Sequence, residues 1–352
     1  MDGEDAGFTP AWWLRGRHAQ TTWGRLARSR RQVPLRRESL IAPDGDTLLV
    51  DHLDRPAERD ADDAPRLLLL HGLEGSSNSV YVQGILALAA RTGFRASVLN
   101  FRYCARDAND IQRCIPNERP RLYHSGETSD FDFVARTLAA RDGRPLVAAG
   151  ISLGGNVLLK WLGEHPRDAA VAAAATLSVP YDLAAGDLYL ASFPANLYVR
   201  GFVKTLTAKA EDLVRRFPEA AERIDLPRAR RAYTFREFDA AATAPLHGFA
   251  NADDYYARSS SLPFLQRITA PTLCLSAFDD PFLPPEATRR ARDAASSAVR
   301  FIVTDRGGHV GFVAARGLTP VYWAEELAIA FLGRHARGDD SPDARRAARL
   351  GR

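Results

Sequence analysis

The chain of 352 residues is long enough for one large domain or two average ones, and its 46% hydrophobic content supplies a substantial buried core. Its net charge is +4, but the basic residues are nearly all arginines interspersed with Asp and Glu, which does not indicate a nucleic-acid-binding surface. The three cysteines are too few for a disulfide framework and favour a reducing compartment.

The N-terminal stretch MDGEDAGFTPAWWLRGRHAQ begins acidic and lacks the apolar segment of a secretory signal. No run approaches the roughly 18 apolar residues that a membrane-spanning helix needs. We therefore expect a cytoplasmic protein without an integral membrane segment. Two arginine clusters, one near each end of the chain, are compatible with a peripheral contact to an anionic surface. The sequence does not set the oligomeric state.

Short runs rich in Leu, Val, Ala and Ile recur along the chain with helical stretches between them. The predicted strands are 37–43, 47–53, 66–72, 94–102, 145–152, 170–180, 271–280 and 299–308. The first two flank Asp44-Gly45, a dipeptide that favours a hairpin turn. The later runs are typical of parallel strands buried on both faces. The sequence thus predicts an α/β fold with an eight-stranded, mostly parallel sheet and helices on both faces.

Helical periodicity is clearest at 80–91, 127–141, 155–164, 285–295 and 320–335. The residues between the sixth and seventh strands differ from the rest, because they contain amphipathic helices and no clear buried strand. A helical insertion at that point most simply lies over the carboxyl edge of the sheet, where ligands bind. An unrelated linker or a separate domain is the alternative interpretation of this stretch.

These patterns divide the chain into segments with different expected roles. They are an N-terminal extension that packs on the core (1–36), a core in two parts (37–182 and 247–335), a helical cap inserted after the sixth strand (183–246) and a polar tail (336–352). We expect the tail to be disordered, because it has too few apolar residues to bury.

The stretch GISLG at 150–154 matches the pattern G-x-S-x-G where a predicted strand meets a predicted helix. In that context the serine occupies a sharp, strained turn, and Gly150 and Gly154 remove side chains that would collide with it. The turn exposes the Ser152 hydroxyl beside a helix N-terminus, whose dipole favours developing negative charge. A plain Gly-Ser turn is the alternative, but the position favours a nucleophile.

A serine hydroxyl needs a base, and the base needs an acid to orient it. His309 is the best-placed histidine, since DRGGHVGF puts it on a Gly-rich loop just past a predicted strand. The stretch SAFDDPFLPPE follows the preceding strand and offers Asp280, with Asp279 as the fallback acid. Asp182 and Asp305 are weaker candidates for that role.

An oxyanion that forms on attack needs two backbone donors. One is the amide of Leu153, immediately after Ser152. The other comes from LLLLHGLEGSS, where a strand ends at His71-Gly72 and the amide of Leu73 is the candidate donor. We expect His71 itself to hold this loop by hydrogen bonds.

With these residues the chain resembles the α/β-hydrolase superfamily, and within it the hydrolases related to YheT and to the ABHD-type proteins of eukaryotes. The motifs that carry the resemblance include WLRGRHAQTTWG (13–24), HGLEGSSNSVYVQG (71–84), LNFRYCA (99–105), GISLGGNVLLKWLGE (150–164), AFDDPFLP (277–284) and GGHVGF (307–312). They extend over almost the whole chain. The resemblance therefore implies an α/β-hydrolase fold.

The resemblance implies that Ser152, Asp280 and His309 form a catalytic triad and that the activity is carboxylic ester hydrolysis. The sequence departs from its relatives at Tyr103, where they usually carry glycine. A phenol at that position narrows the acyl pocket, so we expect Tyr103 to line it. Glu74 and Asn156 are further candidates for the pocket.

We find no nucleotide-binding motif and no His or Cys pair at zinc-ligand spacing, so no cofactor and no metal are expected. Cys104 is expected to be a buried, inert thiol. Ester hydrolysis of a small-molecule or lipid ester, of short to medium acyl chain, is the first hypothesis. Acyl transfer to an alcohol by the same acyl-enzyme is the second. A binding protein with this fold and no catalysis is the third.

Overall fold

A computed structural model describes residues 7–28, 33–53, 64–192 and 194–336. Its strands are β1 (Arg36–Ile41), β2 (Thr47–Leu53), β3 (Arg66–Leu70), β4 (Arg95–Asn100), β5 (Leu146–Ile151), β6 (Val171–Leu177), β7 (Thr272–Ala277), β8 (Val299–Thr304), β9 (Val313–Arg316) and β10 (Thr319–Tyr322). Its α-helices are α1 (Arg17–Ala27), α2 (Val80–Thr92), α3 (Ser129–Asp142), α4 (Leu153–Glu164), α5 (Leu183–Leu190), α6 (Asn196–Arg216), α7 (Leu226–Arg230), α8 (Phe235–Phe238), α9 (Ala244–Leu246), α10 (Ala252–Ser259), α11 (Pro285–Ala294) and α12 (Trp323–Ala336).

Within these ranges, eight strands form one sheet in the order β1-β2-β4-β3-β5-β6-β7-β8. Strand β2 pairs antiparallel with β1 and β4, and the pairs from β4 to β8 are parallel. Gly45 in the β1–β2 turn has φ 76°, a conformation that glycine adopts without strain. The prediction of an eight-stranded, mostly parallel sheet that begins with a hairpin is confirmed.

The central strands are mostly apolar because both faces of the sheet are covered. In β3, Leu68 and Leu70 pack on the side of α3 and α4, whereas Leu67 and Leu69 pack on the side of α2 and α12. All four leucines are fully buried. At roughly 25 cal/mol per Å² of apolar area, burial on this scale is the main stabilising contribution to the fold. The sheet is therefore a rigid support for the loops at its carboxyl edge.

The stretch between β6 and β7 is helical, as predicted, and has an apolar core of its own. Val199 and Val203 of α6 and Phe238 of α8 belong to this core, which also includes Tyr103 and Leu122 from the loop after β4. The segment 183–246 thus packs on the carboxyl edge of the sheet through α6. Its extent as a separate cap stays a prediction, because α10 also packs against α5 and α9.

Two details differ from the sequence-based expectations. The predicted helix 320–335 begins at Trp323, because Thr319–Tyr322 pairs with Val313–Arg316 in a short hairpin. Helix α1 was not predicted within the N-terminal extension 1–36. Ala336 ends α12, and the rest of the predicted tail, with its arginine cluster, lies outside the described residues. Among the helices that are described, none combines the length and the apolar character needed to cross a bilayer.

Candidate active site

Ser152 lies between the last residue of β5 and the first residue of α4. Its backbone has φ 53° and ψ −117°, a strained conformation for a residue with a side chain. The Ser152 N–H donates to the carbonyl of Leu177 in β6 over 2.8 Å, which holds the turn against the neighbouring strand. The hydroxyl therefore stands at the carboxyl edge of the sheet, beside the N-terminus of a 12-residue helix.

The glycines of the motif are required by close approach of backbone to backbone. A Cβ atom at Gly150 would lie 2.5 Å from the carbonyl oxygen of Gly154. One at Gly154 would lie 2.6 Å from the carbonyl oxygens of Leu70 and His71. These contacts are with backbone atoms, which cannot move aside cheaply. The turn around Ser152 thus packs directly on the end of β3, as the sequence predicted.

His309 contacts both Ser152 and Asp280. Its Nε2 lies 3.0 Å from Ser152 Oγ and its Nδ1 lies 2.8 Å from Asp280 Oδ2. Phe282 stacks on the imidazole with ring centres 4.3 Å apart. Since a carboxylate only accepts, Nδ1 carries the proton and Nε2 faces the hydroxyl as an acceptor.

The two aspartates after β7 have different surroundings. Asp280 is fully buried, and its Oδ1 accepts the backbone N–H of Phe282 over 2.8 Å. Asp279 instead accepts the N–H of Gly308 over 2.9 Å, and burial raises its pKa. Asp182 caps α5 and pairs with an arginine, and Asp305 is exposed. Of the four predicted candidates, Asp280 is therefore the one in contact with His309.

The two candidate oxyanion donors belong to residues close to Ser152. Gly72 faces the serine so closely that a Cβ there would be 3.4 Å from Ser152 Cβ, and Leu73 follows it. Leu153 opens α4. In the part of the chain that the structure describes, neither the Leu73 amide nor the Leu153 amide donates to a protein acceptor. Both remain available to an oxygen that forms on a bound substrate.

His71 holds the loop after β3, as expected. Its Nε2 accepts the N–H of Phe101 over 3.1 Å, so its Nδ1 carries the proton and donates to the Gly72 carbonyl over 2.8 Å. Complete burial lowers its pKa to about 4, so the ring is neutral near pH 7. The Gly72 N–H also donates to Tyr81 Oη over 2.9 Å. The loop that carries Leu73 is thus fixed by hydrogen bonds before any ligand binds.

Two of the three pocket candidates lie between the core and α6. Tyr103 is 5% exposed and packs in the apolar core of the helical segment, with φ 66°. That φ is the left-handed conformation that glycine favours, which accounts for the glycine expected at this position in relatives. Glu74 is bound by Lys209 and Tyr123. Their lining of a substrate pocket stays a prediction.

The prediction that Asn156 lines a pocket is wrong. Its side chain is fully buried in α4. Its Nδ2 donates to the carbonyls of Ser125 and Ser259 over 2.9 and 2.8 Å, and its Oδ1 accepts the N–H of Ser261 over 2.9 Å. Asn156 therefore joins three segments of the core and has no polar group left for a ligand.

Cys104 is buried, as predicted, and burial raises the pKa of its thiol to about 12. At that pKa the thiolate is almost absent near pH 7, so the thiol is a poor nucleophile. Its Sγ accepts from Lys209 Nζ over 3.3 Å. The predicted burial of Cys104 is confirmed, and its inertness stays a prediction that this burial supports.

Residues 65–314 match the family model described as "alpha/beta hydrolase fold". The chain belongs to the α/β-hydrolase family. This α/β-hydrolase is 35% identical over 321 residues to the Escherichia coli protein named "Putative esterase YheT", with 91% of each chain covered. It is 30% identical over 310 residues to phospholipase ABHD3 of Mus musculus, and the match covers 87% of this chain and 73% of ABHD3.

Solved structures share the fold at much lower identity. The esterase Pf2001 of Pyrococcus furiosus superimposes with a TM-score of 0.53 at 13% identity, over 86% of this chain and 92% of the other. The matches to YheT and to phospholipase ABHD3 place the chain among the YheT- and ABHD-type α/β-hydrolases, as the sequence motifs implied. Named esterases and phospholipases among the relatives make this α/β-hydrolase an enzyme of the esterase and lipase-like class.

Sequence reasoning missed the residues of α1 that hold the His309 loop. Thr21 Oγ1 accepts the backbone N–H of His309 over 2.9 Å. Gln20 is fully buried and bonds to both the N–H and the carbonyl of Val313, over 2.7 and 3.0 Å. The available signal was the N-terminal motif WLRGRHAQTTWG, one of the motifs that carry the family resemblance. Helix α1 thus packs against the loop that carries His309 and fixes it by hydrogen bonds.

Replacing Thr21 by Val should lower kcat by about tenfold, with a smaller change in KM, because the His309 amide loses its acceptor and the imidazole is less well placed. Ester hydrolysis and thermal unfolding measure the two effects. Thr22→Val is the matched control, since Thr22 lies next in α1 and, among the residues that the structure describes, its hydroxyl bonds only to the carbonyl of His18 in the same helix. Equal losses in both variants would mean that the Thr21 hydroxyl has no special part in placing His309.

Proposed function

We propose that this α/β-hydrolase cleaves carboxylic esters through a serine acyl-enzyme, with Ser152 as nucleophile, His309 as general base and acid, and Asp280 as the residue that orients His309. The observation that supports this most strongly is the unbroken chain of hydrogen bonds, 3.0 Å from Ser152 to His309 and 2.8 Å from His309 to Asp280. A binding protein with no catalytic role has no use for a strained serine in contact with an oriented imidazole.

The chemistry follows from these contacts. His309 Nε2 takes the hydroxyl proton as Ser152 Oγ attacks the ester carbonyl, and Asp280 stabilises the imidazolium. The oxyanion of the tetrahedral intermediate is bound by the amides of Leu73 and Leu153. His309 then protonates the leaving alcohol, and a water molecule, activated by the same imidazole, hydrolyses the acyl-enzyme. Each donor amide supplies about 3 to 4 kcal/mol of transition-state stabilisation.

The aromatic residues beside His309 support an ester with an apolar portion. Phe282 stacks on the imidazole, and Tyr198 and Phe202 of α6 lie with ring centres 4.9 and 6.4 Å from that of Phe282. Relatives are named as an esterase, a phospholipase and a monoacylglycerol lipase. We therefore propose short- to medium-chain acyl esters or lipid-like esters as the substrates.

Labelling with a fluorophosphonate probe tests this proposal. The wild type should label with one probe per chain, and Ser152→Ala should not label. Hydrolysis of p-nitrophenyl esters from acetate to palmitate should then define the acyl-chain optimum. Activity that peaks at acetate and vanishes by octanoate would contradict the lipid-like substrate. If an added alcohol changes the product from the free acid to a new ester, the enzyme transfers the acyl group instead of hydrolysing it.

A further inference from the structure

A buried ion pair joins the loop after β3 to helix α6, next to the proposed oxyanion site. Lys209 Nζ lies 2.6 Å from Glu74 Oε1, and the two side chains are 8% and 10% exposed. Glu74 directly follows Leu73, whose amide is one of the two proposed oxyanion donors. The pair therefore connects the helical segment between β6 and β7 to the backbone at the reaction centre.

The backbone of Glu74 has a conformation that needs support from its surroundings. Its φ is 58°, which is unfavourable for residues other than glycine. Tyr123 Oη accepts the Glu74 N–H over 2.9 Å and donates to Glu74 Oε1 over 2.8 Å. Together with the bond from Lys209, these contacts hold residue 74, and through it the peptide that follows Leu73.

Lys209 is suited to this place by its size and its surroundings. It is one of three lysines in a chain with 47 basic residues. Its Nζ also donates to Cys104 Sγ over 3.3 Å and lies 5.3 Å from the centre of the Tyr123 ring, within reach of a cation–π interaction. A planar guanidinium is larger and cannot present its charge as a compact point. The cluster of Glu74, Cys104, Tyr123 and Lys209 is thus built around an ammonium group.

Both members of the pair are charged near neutral pH. Burial alone would raise the pKa of Glu74, but the charge of Lys209 and hydrogen bonds from Lys209, Thr205 and Tyr123 outweigh it, so this pKa is lowered. Burial likewise opposes the charge of Lys209, and its interactions with Cys104 and Glu74 raise its pKa overall. Loss of either partner would leave an uncompensated buried charge on the other.

We propose that Lys209 is a positioning residue for the oxyanion: it holds and neutralises Glu74, which fixes the Leu73 amide beside Ser152. This inference rests on the proposed ester hydrolysis. Without Lys209, the Glu74 carboxylate stands one residue from the amide that binds the oxyanion, and its charge opposes the charge that develops there. Lys209 acts through Glu74 and need not touch the substrate.

The test compares Lys209→Met with the double variant Lys209→Met/Glu74→Gln in the full chain, on a p-nitrophenyl ester that the wild type hydrolyses. Lys209→Met should lower kcat by roughly 10- to 100-fold with little change in KM, as expected for a displaced oxyanion donor. Affinity for a trifluoromethyl ketone, whose adduct with Ser152 carries an oxyanion, should fall by the same factor. Lys204→Met, an exposed lysine on the same helix, is the control and should match the wild type.

The pH profile separates this role from simple packing. In Lys209→Met the carboxyl group of Glu74 stays buried but loses the positive charge beside it, so its pKa rises. The group then becomes a carboxylate only as the pH rises through this raised pKa. The loss of kcat should therefore deepen with rising pH in the single variant. The double variant carries no charge at either position, so it should lack this ionisation and be more active than Lys209→Met at high pH.

Several outcomes would overturn the proposal. Lys209→Met with wild-type kcat would do so, as would a change in KM alone, which would place Lys209 at the substrate instead. If Lys209→Met does not fold, Lys209→Gln replaces it, because its uncharged amide is polar enough for the site but cannot neutralise Glu74; an unchanged kcat there also overturns the proposal. A wild type that neither labels nor hydrolyses esters would overturn the proposed function, and this inference with it.

Discussion

Ser152→Ala should lower kcat for an activated ester by a factor on the order of 10⁶, with little change in KM, because the residue acts only in the chemical steps. His309→Ala should cost about as much, since an unactivated hydroxyl is a weak nucleophile. The double variant should be no slower than either single variant, because the two residues act as a unit. Burst and steady-state kinetics with p-nitrophenyl esters measure all three.

The residual rate of these variants carries its own information. The amides of Leu73 and Leu153 are still present, so turnover should remain roughly 10³-fold above the reaction in water. Thermal unfolding should be close to wild type, since Ser152 is only partly buried and, within the described part of the chain, its hydroxyl bonds only to His309. Ser152→Ala with more than about a hundredth of wild-type kcat would be incompatible with a Ser152 acyl-enzyme.

The sheet could be predicted because its signals are local. Each strand is a short apolar run bounded by turn residues, and G-x-S-x-G specifies the turn at Ser152 within five residues. The order of Ser152, Asp280 and His309 along the chain is also visible in the sequence. Parallel strands bring their carboxyl ends to one edge, so three residues that each follow a strand could be expected to meet.

The supporting contacts could not be predicted, because they join residues that are far apart in the chain. Thr21 and His309 are 288 residues apart, and Glu74 and Lys209 are 135 apart. The amphipathic pattern of α6 shows that one face is buried but not which loop that face contacts. Lys209 therefore had no local signal that distinguishes it from a surface lysine.

The errors have physical causes of the same kind. Asn156 follows the motif at Ser152, and a polar residue near a nucleophile suggests a pocket, yet tertiary contacts to Ser125 and to the stretch 259–261 occupy both the nitrogen and the oxygen of its amide. The strand Thr319–Tyr322 has four residues and precedes α12 directly, so its pattern merges with the helix. Short elements and buried polar contacts are set by the packing of the fold.

Asp280→Asn should lower kcat by about 10⁴-fold near pH 7 while the protein remains folded. The amide keeps an oxygen for the N–H of Phe282 and turns its NH₂ toward His309 Nδ1. That nitrogen must then accept, so the proton moves to Nε2, which can no longer take a proton from Ser152. Steady-state kinetics and the tautomer seen by ¹⁵N NMR of the imidazole measure the two effects.

Asp279→Asn is the matched control, because the two aspartates are neighbours and only one contacts the imidazole. Its amide oxygen can still accept the N–H of Gly308, so kcat should fall less than about tenfold. The reverse ranking, a severe loss in Asp279→Asn and a mild one in Asp280→Asn, would make Asp279 the acid and require the loop after β7 to rearrange in solution. The buried position of Asp280 and its 2.8 Å contact with His309 argue for the first ranking.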